Sequence, residues 1–163
     1  MKKRPSVEIR PATDADFEAM IDLDQASAEH HAAIDPVAWE VPDRAGSAEF
    51  LRRRHAEDPS RETLVATVDG RVVGMVEIAI VRPGVAGGAM RRVPSADLGI
   101  AVLPAWRGQR IGEALMQVAE AWARERGAEQ MILDMAAAND GAQRFYERLG
   151  YEVYALQMRR SLR

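Results

Sequence analysis

Between Leu103 and Leu115 the chain reads LPAWRGQRIGEAL, with glycines at Gly108 and Gly112 and arginines at Arg107 and Arg110. An apolar, strand-like run leads into this stretch and a long helical pattern leaves it. Where a strand hands over to a helix, the first backbone N–H groups of the helix find no acceptor within it. Those donors, with the positive end of the helix dipole, attract an anion. The glycines let a ligand or a neighbouring strand come close to the backbone, and the two arginines add positive charge. The stretch is therefore either a tight structural turn or a seat for phosphate. Three residues rather than four separate the glycines and Glu113 follows the second, so the ATP-type loop fails. The dinucleotide pattern G-x-G-x-x-G is absent too.

Other residues that could do chemistry each carry a plain structural reading beside the functional one. Glu77 lies in a strand-like run and faces the same way as Met75 and Ala79, a carboxylate among apolar neighbours. It could act on a proton or form an ion pair on the sheet face. Asn139 precedes a short helical pattern and could simply cap it. Tyr146 follows Ala142 at i+4, so it could be a packed core tyrosine. His30 and His31 are adjacent, which suits an exposed pair better than a shared metal face. No metal site is expected. The chain has no cysteine, which excludes disulfides, thiolate metal sites and a cysteine nucleophile.

These residues need a scaffold, and 163 residues are enough for one domain, 1–163, with a sizeable core. A net charge of −3 argues against a nucleic-acid module that relies on a basic surface. The N-terminal MKKRPSVEIRPATDADF is basic but has no apolar signal core. No run reaches the roughly 18 apolar residues of a membrane span. A soluble, cytoplasmic protein without membrane contact is expected.

Along the chain, Val7 to Arg10 reads as a strand, then Thr13 or Asp14 caps a helix with Phe17, Met20, Ile21 and Leu23 on its apolar face. Periodicity fades from Ala28 to Ser47, where Pro36 and Pro42 predict a long loop. Ser47 is expected to cap a second helix that ends at Asp58-Pro59. TLVATVDGRVVGMVEIAIV reads as a hairpin turning at Asp69-Gly70, its second strand apolar on both faces and so central. A loop from Arg82 to Ser95 leads to a strand at Leu98 to Leu103. Ile111, Leu115, Val118, Ala119 and Trp122 make one stripe of a helix running to Arg126, ended by Gly127. A strand at Met131 to Met135, a helix at Ala142 to Leu149 and a last strand at Glu152 to Arg160 complete the order.

With the loop and the order in view, the chain resembles the GNAT superfamily of acetyl-CoA-dependent N-acetyltransferases. The family's pyrophosphate loop follows Q/R-x-x-G-x-G/A, where Arg107 fits the first position and Gly112 the last. Arg110 stands where the middle glycine is usual. LDMAAANDGAQRFYERLGYEV is similar to the family's later block, with Asn139, Tyr146 and Leu149-Gly150-Tyr151 in the matching places. VEIRPATDADF resembles the family's opening strand and helix. The resemblance spans nearly the whole chain. It implies an α/β (mixed α+β) fold with a mostly antiparallel sheet of six to seven strands. Strands four and five would splay apart, with helices on both faces.

The resemblance also implies a mechanism. The pantetheine arm of acetyl-CoA would add to strand four like a further strand, along Ile100, Ala101 and Val102. Backbone N–H groups of Arg107, Gly108, Gln109, Arg110, Ile111 and Gly112 would hold the pyrophosphate, with Asn139 and Tyr146 flanking the cofactor. An N–H near Ile100 to Val102 would polarise the thioester carbonyl. A primary amine, from a small molecule or a peptide, would attack directly in a ternary complex. A lysine-like amine with a pKa of about 10.4 is only about one part in two thousand neutral at pH 7, so a base or a desolvating pocket is needed. Tyr146 is the candidate donor to the leaving sulfur. Glu77, Asp97 or a water chain is the candidate base. Glu29, His31, Asp35 and Trp39 lie where the family builds its acceptor pocket. A non-catalytic acyl-CoA-binding sensor or interaction module is the alternative, and a homodimer is left open.

Overall fold

A computed structural model describes residues 6–54, 58–84 and 86–162. Residues 1–5 of the basic N-terminus and residue 85 of the expected 82–95 loop lie outside them. Strands β1 (Val7–Pro11), β2 (Arg61–Val68), β3 (Arg71–Val81), β4 (Ser95–Val102) and β5 (Gln130–Ile132) form one sheet in that spatial order. The first four are antiparallel neighbours, and β5 runs parallel to β4. The hairpin forms where expected, with Asp69 and Gly70 both at positive φ (50° and 77°). β3 is interior, between β2 and β4, and its residues Val73, Met75, Val76 and Ile78 are buried.

The two sheet faces carry separate apolar layers. On one, α3 (Ile111–Glu125) packs Ile111, Leu115, Met116, Ala119 and Trp122 over Leu64, Ala66, Val76, Ile78, Ala96 and Leu98. Helix α4 (Asp140–Arg148) joins that layer through Phe145 and Tyr146. On the other face, α1 (Phe17–Ile34) and α2 (Arg44–Arg54) set Met20, Ile21, Leu23, Ala48 and Leu51 against Val65, Val72 and Met75. Helices therefore cover both faces.

Several boundaries differ from the sequence reading. The sheet has five strands among the described residues rather than six or seven, because the expected strand Glu152 to Arg160 takes no regular secondary structure and joins no ladder. β5 likewise stops at Ile132 rather than Met135. The expected 28–47 loop is shorter, since α1 continues to Ile34 and ends where Pro36 disfavours helix in the residue before it. Ser47 does not cap α2. Asp43 does, accepting from the Gly46 N–H at 2.7 Å, while Ser47 is fully buried and its hydroxyl takes a 2.7 Å bond from Gln25.

One polar lock ties β1 to α1. Asp16 is buried and receives both guanidinium nitrogens of Arg10 (2.7 and 2.9 Å) together with the Thr13 N–H and hydroxyl. The bond from Arg10 leads these effects in holding the Asp16 carboxyl far below the usual carboxylate range, against the opposing effect of burial. A depressed folded-state pKa stabilises above the unfolded value of about 3.9 and loses that stabilisation as pH falls below it. Asp16→Asn should cost about 2 kcal/mol at pH 7. Urea melts at several pH values check this: the gap between wild type and variant should close as pH drops below about 4.

Candidate active site

The open edge of β4 is the frame of the site. β5 pairs only with Ser95, Ala96 and Asp97, while β4 runs on to Val102. From Leu98 onward, no strand covers that edge among the described residues. The Leu103 N–H donates to Val73 O on β3 at 2.9 Å. Because backbone groups alternate sides along a strand, Ala101 also turns its N–H and C=O to β3, whereas Ile100 and Val102 turn theirs to the opening. The Val102 carbonyl accepts a 3.1 Å bond from Arg107 Nε, which agrees with that parity.

Beyond β4 the chain makes a short 3-10 turn, Pro104–Trp106, then passes through Arg107, Gly108 and Gln109 into α3. Gly108 has φ 74° and Arg110 has φ 64°, ψ 12°. Arg110 thus adopts the left-handed conformation natural to glycine, at a cost of about 1–2 kcal/mol for a residue with a side chain. Successive amides in such a turn form an anion-binding concavity. The first helical bond is Ala114 N–H to Arg110 O, and no side chain caps the helix. The N–H groups of Ile111, Gly112 and Glu113 therefore point out of the helix end without helical acceptors. Gln109 donates its side-chain amide to Ala105 O at 3.2 Å, which braces the loop. At Gly112 a Cβ would come within 3.2 Å of the Phe145 ring, so a bare backbone is what lets α4 close against α3.

Across the opening stands the start of α4. Asn139 is buried and its Oδ1 accepts the Ala142 N–H at 3.1 Å, so it caps α4. Its side chain also reaches His30 near the end of α1. Partial burial, then the charge of Arg107, then His31 lower the His30 pKa, and the bond to Asn139 opposes them. His30 therefore sits between the loop and the α4 cap, a placement its sequence neighbours gave no reason to expect. Tyr146 is half-buried, in edge contact with Phe145 at 5.2 Å and tilted against Tyr151 at 5.8 Å. Burial pushes its hydroxyl up to about 12, and that hydroxyl has no hydrogen-bond partner among the described residues.

The two carboxylates stand on the sheet face covered by α1 and α2. Glu77 is paired in register with Gly99 and makes an ion pair with Arg54 of α2 at 3.1 Å, its side chain 16% exposed. Asp97, two residues before Gly99, is on the last rung shared with β5. Burial, followed by the nearby charge of Asp134, raises the Asp97 pKa, while Arg54 opposes. Asp97 and Asp134 line a cleft of about 300 Å³ with Arg82, Ile132 and Tyr154. Space above Gly99 is open, since nothing lies within 4 Å of where a Cβ would stand. Asp134 escaped the sequence reading because only β5's parallel pairing brings it beside Asp97. Farther out, His31 stacks on Trp39 at 4.5 Å, and Asp35 is bound by Arg159. No cluster of three His, Asp or Glu residues among those described could hold a metal ion, and no helix there is long and apolar enough to cross a membrane.

Residues 18–151 match the Acetyltransferase (GNAT) family. The chain is 27% identical over 124 residues to the aminoglycoside N(6')-acetyltransferase type 1 of Stenotrophomonas maltophilia, covering 72% of this chain and 80% of that one. It is 30% identical over 122 residues to the L-amino acid N-acetyltransferase AaaT of Escherichia coli (strain K12), covering 72% and 69%. Its fold is similar to the crystal structure of a mutant BH1408 protein from Bacillus halodurans, with a TM-score of 0.84, 20% identity, and coverage of 95% and 99%.

Proposed function

The chain belongs to the GNAT family of acetyl-CoA-dependent N-acetyltransferases, and on that premise we propose how its own residues carry acetyl transfer to an amine. The acetyl-CoA cosubstrate supplies an activated thioester; binding, orientation and proton handling fall to the protein. The amides from Gly108 to Gly112 and the guanidinium groups of Arg107 and Arg110 hold the diphosphate. Ile100 and Val102 offer their outward N–H and C=O groups to the pantetheine arm, and the Ile100 N–H is the donor that polarises the thioester carbonyl. Ala101, turned to β3, serves by keeping β4 in register.

The acceptor amine takes the open floor over Gly99, with Glu77 and Asp97 on the same face. Glu77, oriented by Arg54, contributes negative charge that draws an ammonium group in. Asp97, whose pKa burial raises, takes the amine's proton. Ile100 is three residues along the strand from Asp97, about 10 Å, so that proton passes through water. Tyr146 donates to the leaving sulfur.

The observation that carries this reading is the uncovered edge of β4 running straight into an uncapped α3 with Arg110 in a glycine-like conformation. It supplies backbone donors for both ends of one long cosubstrate. The acceptor class is a primary amine of a small molecule or peptide. Offering acetyl-CoA with amino acids, polyamines, aminoglycosides and lysine peptides, and following thiol release, tests it. Turnover on at least one acceptor is expected. Tight CoA binding without turnover on any would replace the enzyme with a sensor.

A further inference from the structure

Three arginines close α2, and they point in different directions. Arg53 is exposed and pairs with Glu49 one turn back at 3.0 Å. Arg52 lies against the Phe17 ring, 5.2 Å from its centre. Arg54 crosses to β3, where its Nε donates to Glu77 at 3.1 Å. A cation in the last turn of a helix suits the helix dipole wherever it points. The dipole therefore accounts for three arginines here but not for the direction of Arg54. Phe50, one turn earlier, sets its ring 5.3 Å from the same guanidinium, a cation–π contact that steadies it against Glu77.

The register of the sheet extends the reach of that charge. Glu77 pairs with Gly99, and Ala79 with Asp97. Asp97 is thus the diagonal neighbour of Glu77 on one sheet face, and such positions are about 7–8 Å apart. A guanidinium bound to the first acts electrostatically on the second. Asp97 has other charged neighbours: Asp134 beyond β5, Glu77 on β3 and Arg61 on β2, while Arg82 and Tyr154 line the same cleft. Burial and then Asp134 favour its neutral form; Arg54, the Leu98 N–H and Arg61 favour the anion, in that order. Arg61 also pairs with Asp58 at 3.3 Å, so its charge is shared. A base must be ionised before it can take a proton. Without Arg54 the floor would carry Glu77, Asp97 and Asp134 together, and repulsion among like charges drives a carboxylate to keep its proton.

We infer that Arg54 is a positioning residue for acetyl transfer: steadied by Phe50 and Glu77, its guanidinium keeps Asp97 in the carboxylate form that accepts the amine's proton. The inference rests on Asp97 being that acceptor, and it gives α2 a part in the chemistry beyond packing.

Arg54→Gln and Arg54→Lys test it. The carboxyl carbon resonance of Asp97, assigned by its loss in Asp97→Asn, is followed against pH by NMR in the full-length protein. In Arg54→Gln the Asp97 midpoint should move up, because a neutral partner no longer favours the anion. In Arg54→Lys, which keeps the charge, it should stay near the wild-type position. Both variants should bind CoA as wild type does, since α2 and α3 lie on opposite sheet faces, and that binding shows that they fold. In thiol-release assays kcat of Arg54→Gln should fall about 5-fold at pH 5 and much less at pH 8. A packing role alone would lower kcat equally at both. An Asp97 midpoint unmoved in Arg54→Gln, or moved as far in Arg54→Lys, overturns the inference, as does an equal loss of kcat at both pH values. Failure of the underlying reading looks different: Asp97→Asn would then keep full kcat, and the inference would fall with it.

Discussion

Tyr146→Phe should lower kcat by about 10²-fold while the KM for acetyl-CoA stays almost unchanged. The ring's contacts with Phe145 and Tyr151 survive the substitution, so only an oxygen atom is lost. That oxygen is protonated throughout the neutral range, because burial lifts the hydroxyl to about 12. A phenol this weak as an acid does not hand its proton to a thiolate in water, where a thiol's pKa is about 8.5. The same burial raises the thiol's pKa too, which narrows the gap, and a strong hydrogen bond to the departing sulfur lowers the barrier even before full transfer. The pH profile separates this from a packing role. Wild-type kcat should show no loss from Tyr146 ionisation until pH approaches 12, and Tyr146→Phe should scale the whole profile down without moving its limbs. Full kcat in the variant would make Tyr146 a core residue only.

Much of this arrangement could be read before any coordinates. Of the predicted stripe, Ile111, Leu115, Ala119 and Trp122 do lie on the buried face of α3 while Val118 is exposed, and the Asp69-Gly70 turn sits where its residue types require. These features are local, so sequence spacing encodes them. What escaped was long-range. Ser47 has the composition of a cap, yet its hydroxyl belongs to Gln25 on another helix. Residues 28–34 carry no apolar stripe because most are only half-buried, and the helix persists there for want of a breaker before Pro36. Glu77 was seen to face an apolar layer, but its partner Arg54 comes from α2. At Arg110, where the resembled pattern has glycine, the backbone takes the left-handed conformation that favours glycine. The expected final strand at Glu152 to Arg160 does not form, because alternation of residue types makes a strand only where an edge is available to pair with it.

Reversing charge at the loop should give the second large effect. Arg107→Glu combined with Arg110→Glu should weaken CoA binding by about 10²-fold in calorimetry, taking roughly 1.5 kcal/mol for each charge-assisted contact, the low end for groups this exposed. Arg110→Gly isolates the charge from the backbone. Glycine holds the left-handed conformation without the strain that arginine bears, so the amides of the cradle keep their directions. Its loss of affinity should therefore be smaller, about 10-fold. Arg107 differs because its Nε is bonded to the Val102 carbonyl. Removing it frees the end of β4 as well as deleting a charge, so Arg107→Gln should weaken binding more than Arg110→Gln. Wild-type affinity should also fall with rising ionic strength, since both guanidinium groups lie in solvent where salt screens them, and the double variant should lose that dependence. Unchanged affinity in the double variant would mean that no diphosphate sits on this helix end. The uncovered edge of β4 would then need a different occupant.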